Sequence, residues 1–433
     1  MGRLDSICDA KLHGRNDHSR HFCLSALTWC VISCTCIFMV FASVYFSRYS
    51  LFELGLLPLI QRVNPAPFHV YFKEFGSFEK PKNIRIVALV PFRSHERTEI
   101  LDCYLQRNLL DNHGFLDQVI FIPQTNNTQS LDWLTSTVKR TPLYQISGFG
   151  DYIQWGGMDE NVIFIKIDGD TIFLEDHTIS TIVKTKLDHP DSLIVSANVI
   201  NQAALQALHS HPGVALPYLP ELSSSDQPQI PVTQDWRATD LPAWEGPADF
   251  KVSKGYPPPS ESHRWLPSAD ENGDRTPIGM SMYGDNGPEL DDWTIHAQQH
   301  YSFLQHLEDG DLYRYKFPMW VDPTDSLSPN FLCLRAGDPS IVKSIIQQDT
   351  DKLSLEVAQE VLGSDRGTII DGKGLAAHYS IEASSWGLDS TDILHRYRAE
   401  LIMSEDNSAF HRYIILLSNC LLRKKSNKIK NNL

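Results

Sequence analysis

Residues 161–174, NVIFIKIDGDTIFL, decide how this chain is read. From Val162 to Asp168 five of seven residues are apolar, and Val162, Ile163, Ile165 and Ile167 are β-branched. A short apolar run of this kind marks a buried strand of a parallel sheet. The run stops at Asp168-Gly169-Asp170, and Thr171-Ile172-Phe173-Leu174 resumes the apolar character. Two carboxylates one residue apart at the end of a buried strand are costly unless something compensates them. A divalent cation carrying a phosphate ligand is the usual compensation, because hard oxygen ligands suit Mg²⁺ or Mn²⁺. Ligands of open α/β sheets sit just beyond the carboxyl ends of strands, which is where this pair falls. Asp-Gly-Asp is also a common turn, since Gly takes φ > 0 and Asp caps its own turn. The motif alone therefore leaves a metal site and a plain turn both open.

Working outward, the pattern around this stretch is β-α-β. A strand is predicted over 84–90, stopped by Pro91, and a helix over 97–110 with Ile100, Leu101, Tyr104, Leu105 and Leu109 on one face. A strand over 118–122, stopped by Pro123, and a helix over 130–140 follow. After the acid-ended strand come a helix over 178–187 and a strand over 192–199. This alternation predicts an α/β fold: a mostly parallel, twisted sheet with helices on both faces. The acid-ended strand is then about the third or fourth. Residues 212–277 break the pattern with prolines, Gly, Ser and Trp236, Trp244 and Trp265. So long a segment without period is functional or mobile, and its tryptophans favour an ordered, packed excursion. A helix over 291–308, capped by Asp291 or Asp292, carries Trp293, Ala297, Tyr301 and Leu304 on one stripe. His296 and His300 on it have metal-capable spacing but no His-Glu-x-x-His form, so they read as packing or surface residues. A strand over 331–334, a helix over 339–347 and a turn over 369–374 leading into 375–380 complete the pattern.

The 433 residues suffice for one large or two ordinary domains, and 42% hydrophobic content supports a core. A formal charge of -15 argues against nucleic acid, which needs a basic surface. It does not oppose a nucleotide sugar, because a bound metal supplies positive charge locally. Residues 24–46 carry no charge, and about 20 such residues span a bilayer core. Arg3, Lys11, Arg15 and Arg20 precede this window and only Arg48 closely follows, which predicts a cytoplasmic N-terminus. The expected layout is a cytoplasmic tail at 1–23, a transmembrane anchor at 24–46, a stem at 47–82, a lumenal domain at 83–400 and a tail at 401–433. The alternative for 24–46 is a buried core helix. Cys103, Cys333 and Cys420 would be lumenal and allow at most one disulfide, of undefined pairing. Asn126-Asn127-Thr128 is an N-glycosylation acceptor sequence at Asn126.

The anchor, the βα units, Asp168-Gly169-Asp170 after a strand and a late His378 together resemble the GT-A glycosyltransferases. Ser196-Ala197-Asn198-Val199, the segment 293–301 and Asp371-Gly372-Lys373-Gly374-Leu375-Ala376-Ala377-His378-Tyr379 look, with the opening stretch, like a family of fungal type II membrane-anchored proteins. The resemblance covers roughly residues 84–398. It implies that Asp170 coordinates Mn²⁺ or Mg²⁺, that Asp168 meets the donor ribose or the metal through water, and that His378 is the third ligand. It also implies a nucleotide-sugar donor, UDP- or GDP-linked, and a glycan, glycoprotein or glycolipid acceptor in the Golgi or ER. Arg93, after the first strand, falls where such folds hold the nucleotide. An inverting member needs an acid late in the chain as base, and Asp349, Asp351 and Asp365 are the candidates, unranked.

Two other readings compete. A haloacid dehalogenase-type phosphatase also places Asp-x-Asp after an apolar strand, but its pattern asks for Thr or Val at the position of Ile172, and its strand is the first of the domain. A catalytically inactive relative serving as a lumenal binding or scaffold protein is the other, because fold does not dictate function.

Overall fold

The computed structural model describes residues 78–148, 151, 159–222, 237–282, 287–289, 291–321, 330–335, 367–380 and 385–406. The expected tail at 1–23, anchor at 24–46, most of the stem, the helix at 339–347 and the basic C-terminal run lie outside the described residues. So do Trp236, Cys420, Asp349, Asp351 and Asp365. Among the described residues no helix is long and apolar enough to cross a membrane.

The first units follow the sequence pattern. β1 (Arg85–Phe92), α1 (His95–Arg107), β2 (Gln118–Pro123), α2 (Thr128–Arg140) and the short β3 (Tyr144–Ile146) precede β4 (Val162–Ile167), which is thus the fourth strand. β5 (Thr171–Leu174), α3 (Thr178–Asp188) and β6 (Ile194–Ile200) come next. α2 starts where it does because the Asn127 side chain accepts from the Ser130 N–H. β1 runs through Pro91, against the expected stop. β4 pairs with β1 only as far as Leu89 opposite Lys166, so beyond that point the missing N–H of Pro91 costs no ladder bond on that side.

After β6 the chain makes β7 (Tyr218–Pro220) and β8 (Trp265–Pro267), a two-stranded antiparallel ribbon apart from the main sheet. α4 (Trp293–Glu308), β9 (Trp320–Val321), β10 (Phe331–Arg335), β11 (Thr368–His378) and α5 (Ile393–Asp406) complete the described elements. The main sheet has the order β3-β2-β1-β4-β10-β6-β11-β5, with β9 on the outer side of β11. β3, β2, β1 and β4 are parallel, and so are β6 and β11. β10 is inserted antiparallel between β4 and β6, and β5 and β9 run antiparallel to β11.

Alternate residues of each strand feed two apolar clusters. Ile86, Ala88 and Val90 join α1, α3 and α4 residues such as Leu101, Ile182 and Tyr301 in the larger one. Val87 and Leu89 point into the smaller, with Phe164, Leu332, Leu205 and Phe317. The described long helices thus feed the larger cluster, and short segments cover the opposite face. Cys103 and Cys333 are free, and burial pushes the Cys333 thiol up to about 12, so these two form no disulfide.

Two sequence expectations need correction. Residues 369–374 do not end in a turn but lie inside one long strand. β11 pairs with β6 up to Asp371 opposite Ala197, then resumes at Leu375 opposite Asn198, so Gly372, Lys373 and Gly374 loop out between the two ladders. The loop is held by its own acid, which accepts from the Lys373 N–H at 2.8 Å, and by Asn198 Nδ2, which donates to the Gly372 carbonyl at 3.1 Å. α4 is also not a one-sided amphipathic helix. Thr294, His296, Gln298, Gln299, His300, Ser302 and His306 are buried along with its apolar stripe: Val214 and Leu216 of the excursion cover His306, Ser302 and Gln298, Gln206 and Ser210 cover Gln299, and Tyr379 and Tyr397 cover His300.

Candidate metal centre

β4 ends at Ile167, and the next three residues turn the chain across the carboxyl end of the sheet. The Asp168 N–H donates to the Asn330 carbonyl at 2.8 Å, and the Asp170 N–H donates to Asp168 Oδ1 at 3.0 Å. Gly169 is required for closeness, not for a left-handed backbone: its φ is not positive, but a Cβ there would meet the Pro91 carbonyl oxygen at 2.4 Å. Its N–H donates to that same oxygen at 3.2 Å. The prolonged β1 and the acid-bearing turn are therefore locked together.

β5 then brings in a residue from the far end of the chain. It pairs antiparallel with the last residues of β11, Ala377 opposite Phe173 and His378 opposite Thr171, with a register shift between them. The Tyr379 N–H donates to the Asp170 carbonyl at 2.9 Å. His378 thus stands beside the two acids. Asp168, Asp170 and His378 each offer one ligand atom, and these three atoms lie within 4.8 Å of one another, all buried. His378 Nε2 lies 3.8 Å from Asp168 Oδ1, too far for a hydrogen bond.

A second layer fixes this triad. Asn201, held at a positive φ of 62°, donates from Nδ2 to the His378 and Tyr379 carbonyls at 3.3 and 3.4 Å. His300 Nε2 lies 2.8 Å from the Tyr379 carbonyl and 2.9 Å from the Asn201 side-chain nitrogen. His300 Nδ1 lies 2.9 Å from the Tyr397 hydroxyl. Burial pushes the His300 imidazole down to about 3, so it is a neutral strut.

Cations surround the acids. Arg93 Nη1 lies 3.7 Å from Asp168 Oδ2, with its side chain 32% exposed. Arg97 Nη1 donates to Asp170 Oδ2 at 2.8 Å and its Nη2 to Asp389 Oδ1 at 3.0 Å. Burial alone would raise the Asp168 carboxyl; His378, Arg93 and Lys166 outweigh it and hold it well below the usual range. Burial pushes the Lys166 ammonium down to about 8, although Asp168 opposes that shift.

The residues fit a divalent cation. Asp170 Oδ1 and both His378 ring nitrogens are buried with no hydrogen-bond partner, atoms whose desolvation a bound cation would repay. The two carboxylates suit hard divalent cations such as Mg²⁺ and Mn²⁺, and the single imidazole also admits softer ones.

The structure thus brings together Arg93, Asp168, Asp170 and His378. Asn126 is exposed, as a modification site must be. Arg97, Asp389, Asn201 and His300 were missed. Arg97 read only as the start of a helix, and Asp389 sits in no motif. His300 was read as a packing or surface residue, which its burial bears out without revealing its contact to the Tyr379 carbonyl.

No family model matches the chain, and a search of curated proteins finds no relative. Among solved structures, mannosyl-3-phosphoglycerate synthase from Rubrobacter xylanophilus aligns at 12% identity over 27% of this chain and 41% of its own, with a TM-score of 0.21. Glucosyl-3-phosphoglycerate synthase from Mycobacterium tuberculosis aligns at 11% identity over 28% of this chain and 46% of its own, TM-score 0.22. A 4-diphosphocytidyl-2C-methyl-D-erythritol synthase aligns at 12% over 28% and 64%, TM-score 0.22. The chain spans less than two thirds of each of these structures, and at such scores the likenesses carry no argument about activity.

Proposed function

We propose that this chain is a metal-dependent glycosyltransferase of GT-A type, moving a sugar from a UDP- or GDP-linked donor to a glycan, glycoprotein or glycolipid acceptor. The observation that carries the reading is the buried triad of Asp168, Asp170 and His378 at the carboxyl end of β4, with Asp170 Oδ1 and the His378 nitrogens unpartnered. A bound Mn²⁺ or Mg²⁺ supplies Lewis-acid neutralisation of the departing nucleoside diphosphate. Asp170 Oδ1 and His378 Nε2 would hold it, and Asp168 would stand beside it. Arg93 supports donor binding: it is half-buried with Nη1 3.7 Å from Asp168 Oδ2, and its guanidinium can pair with a phosphate. The base that receives the acceptor proton stays assigned by resemblance alone to Asp349, Asp351 or Asp365.

The uncharged window at 24–46 supports a type II anchor and a Golgi or ER location. The kinship with fungal membrane-anchored proteins rests on sequence motifs. The dehalogenase alternative loses ground, because the acid-ended strand is the fourth and lies between β1 and the late, antiparallel β10.

The test is thermal melting of the purified chain with Mn²⁺ plus UDP or GDP. A rise of several degrees with one of these nucleotides, abolished in Asp170→Ala, is expected. No shift with either nucleotide would favour the inactive scaffold reading instead. Metal-dependent hydrolysis of one donor among a panel then names the sugar.

A further inference from the structure

Arg97 is held from several sides. Its guanidinium donates to Asp170 Oδ2 at 2.8 Å and to Asp389 Oδ1 at 3.0 Å, and it lies 4.4 Å over the ring of Tyr379. The Tyr379 hydroxyl donates to the same Asp389 oxygen at 3.0 Å, and the Tyr379 N–H donates to the Asp170 carbonyl. The Arg97 side chain is only 14% exposed, so releasing it from Asp170 would leave a largely buried cation with one partner fewer. Asp170 is consequently divided. Oδ2 is taken by Arg97, and Oδ1 is buried without a hydrogen-bond partner in a residue that stands within ligand distance of Asp168 and His378.

We propose that Arg97 sets the cation selectivity of this centre: by occupying Oδ2 it restricts Asp170 to a single ligand oxygen, which favours small octahedral cations over Ca²⁺. The inference rests on the metal reading above. Ca²⁺ takes six to eight oxygens, often with a carboxylate bound through both, whereas Mg²⁺ demands a compact octahedron. Mn²⁺ accepts oxygen ligands in octahedral geometry and imidazole as well. Asp168 cannot make up the shortfall freely, because its Oδ1 already accepts the Asp170 N–H and its Oδ2 faces Arg93. The acids therefore offer few oxygens, and the guanidinium is what removes one of them. Arg97 is thus a positioning residue, acting through Asp170.

Calorimetric titration of the full-length chain with Mn²⁺ and with Ca²⁺, in the absence of nucleotide and acceptor, tests this. Arg97→Gln is expected to narrow the Mn²⁺/Ca²⁺ affinity ratio by about tenfold, the lower end of what outer partners of metal ligands contribute. The narrowing should come chiefly from tighter Ca²⁺ binding, as Oδ2 becomes available. Arg97→Lys keeps a donor and a charge at Oδ2 and should leave the ratio nearly unchanged. Equal weakening of both cations in Arg97→Gln, or an unchanged ratio, overturns the proposal. If Arg97→Gln loses its cooperative melt, the wild-type chain decides: Ca²⁺ binding as tight as Mn²⁺ overturns it, and a clear preference for Mn²⁺ that Arg97→Lys retains supports it. Wild-type protein that binds neither cation refutes the metal reading itself, and loss of both cations in Asp170→Ala confirms that the titrated centre is this one.

Discussion

At the scale of single residues, Gly169 shows why the Asp-Gly-Asp motif was readable and yet misread in detail. The sequence suggests Gly for its left-handed freedom, but the structure uses it for contact: no side chain fits against the Pro91 carbonyl, which is backbone and cannot swing aside. Gly169→Ala should therefore destabilise the fold by about 2–3 kcal/mol through overpacking, measured as a lowered denaturation midpoint with unchanged slope. An effect below about 0.5 kcal/mol, the size of an ordinary surface change, would show that β1 and the turn are free to part. Arg93 makes the complementary prediction. Arg93→Gln should weaken nucleoside diphosphate binding about 10- to 100-fold, the loss of a charge-assisted hydrogen bond. Mn²⁺ binding in the absence of nucleotide should survive that change, because Arg93 approaches Asp168 at Oδ2 while His378 lies nearest Oδ1, and a guanidinium is no metal ligand. Parallel loss of metal and nucleotide would assign Arg93 to the centre's framework instead of to the donor.

At the scale of elements, α4 is where pattern reading reached its limit. Its apolar stripe was legible, and so was its cap: Asp292 accepts from the Thr294 N–H at 3.0 Å. Whether its polar side packs or faces solvent was left open, because periodicity cannot see what will be laid over it. What covers it is the excursion after β6, whose long irregular stretches make few ladder bonds of their own, leaving backbone groups that still need partners. The helix supplies them. Gln298 donates to the Leu216 carbonyl and accepts from the Ile278 N–H, Ser302 accepts from the Leu216 N–H, and His306 Nε2 pairs with the Val214 carbonyl. The expectation of an ordered, packed excursion is met where residues are described: Trp265 meets Trp293 edge-on at 5.9 Å, and Tyr218 stacks on Tyr301 at 5.6 Å. Gln298→Leu removes two of these bonds and strands the buried Ile278 N–H, while the Leu216 carbonyl keeps only the longer bond from Ser302 at 3.3 Å. It should cost about 2–4 kcal/mol, a fall of roughly 5–10 °C in melting temperature. A neutral result would mean that the excursion does not depend on the helix for its backbone partners. The βα units, by contrast, were legible to within two or three residues at their ends, since each longer strand and helix there is specified by its own local period; the three-residue β3 is too short to show one. β11 was not, because its two ladders are separated by a loop whose Asp-Gly-Lys-Gly sequence is indistinguishable from a turn until β6 is placed beside it.

At the scale of the whole molecule, the chain gathers its chemistry from its two ends. Arg93, Asp168 and Asp170 come from the early βα units, while His378, Tyr379 and Asp389 arrive by way of the β11–β5 ladder and the segment after it. No local pattern contains that closure, and His378 could be tied to the acids beforehand only through resemblance. The closure is braced by buried neutral imidazoles, which gives the fold a definite pH dependence. Burial holds His209 at about 3, with Nε2 on the Asn198 side-chain oxygen at 2.9 Å, and Asn198 is the residue that pins the β11 loop. His300, also at about 3, pins the Tyr379 carbonyl. Both imidazoles sit below their unfolded value of 6.5. Between 6.5 and about 3 the unfolded chain therefore binds more protons than the folded one, so stability is full above this window and falls as pH is lowered through it. At pH 5 each histidine should have cost about 2 kcal/mol relative to neutral pH. Denaturant midpoints measured from pH 7.5 down to pH 4.5 should accordingly fall steadily. His209→Gln, which keeps a donor for Asn198 but cannot titrate, should lower the slope by about one proton's worth, since the slope counts the difference in bound protons. A slope identical in wild type and His209→Gln would mean that His209 is protonated in the folded state and that the bracing of the β11 loop is not an uncharged one.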